Sequence, residues 1–294
     1  MTKILSIVMA LVAYVSGFFS FLFPTTEDYT LFSEIRYGNE PREVMDIYVP
    51  DIAYKRSENG CILFIHGGSW SNGDKREMAS RCIEMAKKGY ITATMNYTLY
   101  SKSNSSDFTV DVMLDEIGMA LQEIKVFSSE KKLNITKAAT SGFSSGGHIS
   151  LLYSYKRAKQ SPIKLVFTAN MVAPADLSYD VWGELCPVIV SGLTGKTVTL
   201  SMAKTGRADS LIASVSPVSY VSSKCIPSLF AYGGKDTVVT VENYYSMKAA
   251  FDKTTARHDF YLYPESIHTL LNDPDVHQKY HAKLLEYCKT YFGH

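Results

Sequence analysis

The sequence has almost no charge of either sign to spare: 30 lysines and arginines stand against 29 aspartates and glutamates in 294 residues, a net charge of +1. With no basic stripe interleaved with aromatics, it lacks the footprint of a nucleic-acid-binding chain. Cysteine is also sparse. The five stand at 61, 82, 186, 225 and 288, with no C-x-x-C pair and no Cys/His cluster at zinc spacing. Cys61 lies in an apolar run and reads as a core strand residue. Cys186 and Cys225, each followed closely by proline, occupy loop-like stretches and are the one candidate disulfide if the domain is exported. Long uncharged runs are missing after the first 23 residues, which excludes a multi-span transporter. No repeat or low-complexity tract is present, so the economical reading is one domain over 27–294, after a targeting segment over 1–26.

Residues 4–23, ILSIVMALVAYVSGFFSFLF, carry no charge and are long enough to span a bilayer as a helix. Two readings stay open. One is an uncleaved anchor. The other is a signal peptide with an apolar core over 4–15 and the small residues Ser16 and Gly17 near a cut. Lys3 before the run and Glu27 and Asp28 after it orient the amino end inward. The domain is therefore expected outside the cytoplasm, membrane-anchored or secreted.

Beyond that run, β-rich and helical patterns alternate. Residues 61–68, CILFIHGG, form an apolar strand that stops at two glycines, as a strand covered on both faces does. Residues 107–127 have apolar positions at helical spacing, and 276–291 close the chain as an amphipathic helix. The alternation predicts an α/β fold: a mostly parallel central sheet with helices on both faces, preceded by the N-terminal hydrophobic helix. Residues 174–215 show no clean period and are the candidate for a cap inserted over a cleft.

Three stretches carry the chemistry. Gly142-Phe143-Ser144-Ser145-Gly146 follows a predicted strand and opens a predicted helix, the context in which G-x-S-x-G presents a serine hydroxyl on a sharp turn. In His66-Gly67-Gly68-Ser69-Trp70, two glycines past a buried strand let backbone N–H groups approach a ligand. Gly67, Gly68 and Ser145 are thus candidate donors to a developing oxyanion, and Trp70 a candidate pocket wall. A serine nucleophile needs a base, and the base an orienting carboxylate. Of seven histidines, His268 lies in the loop between the last strand and last helix, whereas His66 reads as a loop-ordering residue and His148, in the helix after the serine turn, points elsewhere if that helix is regular. Asp236 follows the strand ending Tyr232-Gly233-Gly234; Asp209, Asp259 and Asp273 are weaker acids, the last two because they lie in a strand or beyond the histidine. The order Ser144, Asp236, His268 is the nucleophile, acid, base order of α/β-hydrolases.

On these motifs the chain resembles the hormone-sensitive-lipase-like and BD-FAE-like branch of the α/β-hydrolase superfamily over about residues 30–292. H-G-G-x-W is met by residues 66–70. G-x-S-A-G-G appears with Ser145 in place of alanine. H-G-x-x-D-x-x-V appears with Tyr232 in place of histidine, and Glu265, Ser266 and Ile267 replace the glycines that usually precede the base. The resemblance implies a serine carboxylesterase acting on a small-molecule ester, with no metal or organic cofactor. Its alternatives are a lipase or an arylformamidase with the same triad, and, from another class, a silent membrane-tethered binding protein.

Overall fold

The computed structural model describes residues 28–101 and 108–294. The apolar run over 4–23, and the helix expected there, lie outside the described residues. Among the described residues, no helix is long and apolar enough to cross a membrane.

Among the described residues, eight strands form one sheet: β1 (Tyr29–Arg36), β2 (Val44–Pro50), β3 (Asn59–Ile65), β4 (Ile91–Met95), β5 (Ile135–Phe143), β6 (Lys164–Met171), β7 (Ser228–Gly233) and β8 (His258–Tyr263), in the order β1-β2-β4-β3-β5-β6-β7-β8. From β4 to β8 every pairing is parallel; β1 and β2 are antiparallel additions. The long helices are α1 (Ala79–Ala86), α2 (Val110–Glu130) and α3 (Ser145–Lys156). Four short ones, α4 (Tyr179–Trp182), α5 (Cys186–Thr194), α6 (Leu200–Lys204) and α7 (Asp209–Val215), follow β6. Then come α8 (Glu242–Phe251) and α9 (Pro274–Phe292).

Strand alternation sorts the core into layers. In β3, Cys61, Leu63 and Ile65 pack toward α2 and α3, whereas Ile62 and Phe64 pack toward α1 and α9. Both faces are covered, which is why β3 reads as a continuous apolar run. α2 buries Met113, Leu114, Ile117, Leu121 and Ile124 as one stripe. α9 starts with proline in its first turn and stops at Gly293, φ 93°. The five cysteines are unpaired: Cys186 is fully buried and Cys225 half-buried, so the candidate disulfide does not form. Cys61 is a core strand residue, as its apolar neighbours predict.

Register positions the functional loops. Ile65 pairs with Gly142, Phe143 with Met171, Met171 with Ala231, and Gly233 with Tyr263. The carboxyl ends of five strands therefore meet at one edge. The chain runs from β3 to β4 in one direction and returns to β5 on the other side of β3. The β3/β5 ends thus form the crevice where open α/β sheets bind ligands.

Glu116 of α2 is buried at that edge and accepts from the Thr98 N–H at 2.9 and 3.0 Å and the Thr98 hydroxyl at 2.6 Å. Burial pushes its carboxyl up from 4.5 to about 7, against the pull of the Thr98 hydrogen bonds. A raised acid binds its proton more tightly folded than unfolded. Stability from this group is therefore full below the ordinary carboxylate range, falls as pH rises toward about 7, and is level beyond it. The fall amounts to about 3 kcal/mol at about 1.4 kcal/mol per pH unit. Denaturant unfolding of the wild type and Glu116→Gln at about pH 5 and about pH 8 is expected to show most of that loss as a change in the difference between the two, since every other titrating group is common to both.

Candidate active site

Ser144 sits between β5 and α3 with φ 54° and ψ −123°, a conformation strained for any residue with a Cβ. The turn closes only because glycines stand two residues before and two residues after the serine. A Cβ on Gly142 would enter the backbone of Gly146 and Gly147, and one on Gly146 would enter the carbonyl oxygens of Ile65 and His66. The start of α3 is thereby pressed onto the end of β3. The Ser144 N–H donates to Met171 O at 3.0 Å, and the Ser144 carbonyl accepts from His148 N at 3.0 Å.

The glycine loop after β3 lies against this turn. A Cβ on Gly67 would stand 3.2 Å from Ser144 Cβ, which puts Gly67 beside the serine. Gly68 has φ 114°, open to glycine alone, and its carbonyl accepts from the Ser71 and Asn72 N–H groups. His66 is fully buried, and burial lowers it to about 4, so it is neutral. Its Nδ1 lies 2.7 Å from Gly67 O, which orders the loop as sequence reasoning expects. Its ring stacks on Tyr97, whose hydroxyl donates to His66 O at 3.1 Å. Arg42 donates to Tyr97 O and to Gly73 O, both at 2.9 Å.

Trp70 is 8% exposed, and its indole N–H donates to His148 Nδ1 at 3.1 Å. His148 Nε2 lies 2.7 Å from Val215 O. The indole can only donate, so it assigns the proton of His148 to Nε2. Burial lowers His148 to about 4 and keeps it neutral. This ring therefore joins the glycine loop, the serine helix and the end of the 174–215 segment, rather than pointing elsewhere.

Asp236 and His268 meet across two loops. Asp236 Oδ2 is 2.7 Å from His268 Nδ1, while Asp236 Oδ1 accepts from the Val238 and Val239 N–H groups at 2.8 and 3.0 Å. The carboxylate is fully buried and the imidazole 12% exposed. An Nδ1 facing a carboxylate holds its proton there and leaves Nε2 as an acceptor. Its ring centroid lies 5.2 Å from that of Phe143, the residue before Ser144, in a T-shaped contact. All seven residues singled out by the motifs therefore lie at one sheet edge. The histidine loop needs no glycine before His268. Ser266 donates to Asp273 at 2.6 Å, accepts from Asn272 N at 3.0 Å, and its carbonyl accepts from Lys235 N at 3.0 Å. Asp273, weighed in the sequence only as a weaker acid, shapes this loop. Tyr232, in the family's histidine position, donates to Ala173 O at 2.9 Å and ties β7 to the segment after β6.

Backbone strain concentrates here. Of eight non-glycine residues at positive φ among the described residues, five (Ser69, Trp70, Ser144, Val172 and Leu270) flank these loops. Val172, β-branched at φ 46°, is the least tolerant of them. Such clustering marks functional sites.

A serine strained at a helix start beside a glycine loop, in the crevice of this sheet, defines an α/β-hydrolase. The BD-FAE family model matches residues 45–251, and the chain belongs to that family, within the α/β-hydrolase superfamily. It is similar to a truncated carbohydrate esterase from gut microbiota (TM-score 0.73, 16% identity, 92% of this chain and 99% of that one). It is also similar to esterase B from Lactobacillus rhamnosis (TM-score 0.71, 16% identity, 97% and 93%). At that identity the likeness is one of fold. Among curated proteins it matches a probable isoprenylcysteine alpha-carbonyl methylesterase of Oryza sativa subsp. japonica, 27% identical over 114 residues (39% of this chain, 26% of that protein). It also matches a kynurenine formamidase of Salmo salar, 22% identical over 118 residues (40% and 36%). The matches span about a quarter to a third of these curated relatives.

Trp70→Phe keeps most of the ring but leaves His148 Nδ1 buried without its donor. Chemical denaturation is expected to show a loss of about 1–3 kcal/mol. An unchanged midpoint would mean the link carries no stability.

Proposed function

We propose that the protein is a serine carboxylesterase that cleaves carboxylic esters through an acyl-enzyme on Ser144. The observation that carries this reading is the 2.7 Å pairing of buried Asp236 with His268 at the sheet edge that also holds the strained Ser144. Asp236 keeps the His268 proton on Nδ1, and Nε2 takes the Ser144 proton as the hydroxyl oxygen attacks the ester carbonyl. Negative charge then develops on the carbonyl oxygen, where the N–H groups of Gly67, Gly68 and Ser145 receive it. His268 returns the proton to the leaving alcohol, and water repeats the sequence on the acyl-enzyme. The resting Asp236–His268 pair is aligned before substrate arrives, so little reorganisation is needed as charge develops.

Trp70, packed beside the glycine loop, contributes ring surface as a pocket wall. The 174–215 segment, fastened to the serine helix through His148 and Val215, forms the cap of the pocket. A second reading, formamide hydrolysis by the same groups, is favoured by the similarity to the Salmo salar formamidase. From sequence alone, residues 4–23 anchor or export the domain.

Hydrolysis of p-nitrophenyl esters from acetyl to long acyl chains, with an aryl formamide in parallel, tests the reading. Ser144→Ala is expected to lower kcat by about 10⁵-fold or more. Asp236→Asn, which leaves the imidazole in the wrong tautomer, is expected to lower it by about 10³-fold or more with KM little changed. Turnover surviving in folded Ser144→Ala would contradict the assignment. Turnover of the formamide alone would favour the second reading.

A further inference from the structure

Lysine and arginine are dispersed along the chain but not over the fold. The connections entering the amino ends of β3 to β8 (residues 51–58, 87–90, 131–134, 157–163, 221–227 and 252–257) carry eleven lysines and arginines against three acids, Asp51, Glu58 and Asp252. The opposite edge leans the other way. Among the described residues, 37–43, 66–78, 172–208, 234–241 and 264–273 hold seven bases and ten acids. Ser144, Asp236 and His268 lie on that second edge.

Some of the basic charge is neutralised within the fold: Arg157 pairs with Asp111 and Asp115, and Arg257 with Glu286. Lys55, Lys132, Lys159 and Lys164 are exposed and, among the described residues, form no ion pair. Lys132 and Lys164, with Lys125, line a recess of about 650 Å³ to which no acidic residue contributes. Tyr54, 48% exposed, stands beside Lys55 on the same edge, where an amphipathic ring suits a lipid–water interface.

The chain also enters the domain at this edge. Tyr29 pairs with Pro50, and the Asp51 N–H donates to Asp28 O at 3.0 Å. Only residues 24–28 separate this point from the uncharged run over 4–23, and five residues reach at most about 18 Å. A surface entered by that run therefore lies within about two Debye lengths of Asp28, on the edge that carries the lysines, at physiological salt.

We infer that the basic edge of the sheet faces an anionic bilayer surface, with residues 4–23 as tether, so that the mouth at Ser144 and His268 opens away from the lipid. This rests on the membrane reading of residues 4–23 and, for the direction of the mouth, on the proposed site. The substrate then arrives from the aqueous side, as a soluble ester rather than a lipid of the same bilayer.

The test uses the full chain reconstituted into vesicles of phosphatidylcholine alone and of phosphatidylcholine with phosphatidylglycerol. Lysines are acylated with a water-soluble reagent and read individually by mass spectrometry. Lys132, Lys159 and Lys164 are expected to react roughly fivefold more slowly on the anionic vesicles. That difference should vanish at high salt. Lys196 and Lys235, on the opposite edge, should react equally on both. Equal rates at the basic edge on the two vesicle types would overturn the inference, as would slowing at Lys196 and Lys235 instead. Protection of Lys132 and Lys164 by inorganic phosphate, with none from vesicles, would also overturn it and assign the recess to a free anion. No ester turnover is read, so failure of the esterase assignment leaves this result independent.

Discussion

The structure depends on one close approach, between the end of β3 and the start of α3. A serine can be held at φ 54° only if the chain on either side of it packs backbone to backbone. Gly142 and Gly146 allow this, because side chains there would occupy the space of Gly147 or of the Ile65 and His66 carbonyls. The same contact sets Gly67 against Ser144 and orders the donors around it. Parallel registry extends the arrangement outward, since Met171 ends its strand level with Phe143, and Gly233 and Tyr263 end theirs two residues beyond.

Around this contact the molecule uses neutral or fully partnered groups. His66 and His148 are buried and uncharged, each committed to a backbone carbonyl. The one buried carboxylate among the motif residues, Asp236, has both oxygens engaged, which is the condition for tolerating a charge away from water. A rigid shell of this kind suits chemistry in which charge appears briefly and must find its partners already aimed.

Much of this was legible in the sequence because the signals are local. A buried strand stopped by two glycines, a serine between small residues and an aspartate after Tyr232-Gly233-Gly234 each declare themselves within eight residues. The pairing of Asp236 with His268 was legible only as chain order, since 32 residues separate them. Other parts were not legible. Arg42, which clasps the glycine loop, is one arginine in a polar turn, and its partners are two backbone carbonyls with no sequence signature. Asp273 looked misplaced as an acid because its work is to shape the loop that carries His268. His148 looked idle until Trp70 and Val215 were brought to its two nitrogens. The 174–215 segment gave no period because its four helices are short, from four to nine residues. The charge asymmetry of the two sheet edges was hidden because the basic residues arrive one or two per connection.

The central claim is that Ser144 is an activated nucleophile, and reaction with a fluorophosphonate ester tests it most directly. Intact mass and peptide mapping should give a single adduct, on Ser144, formed far more slowly in Asp236→Asn than in the wild type. A folded wild-type protein that forms no adduct, or forms it on Ser145 or another serine, would contradict the account.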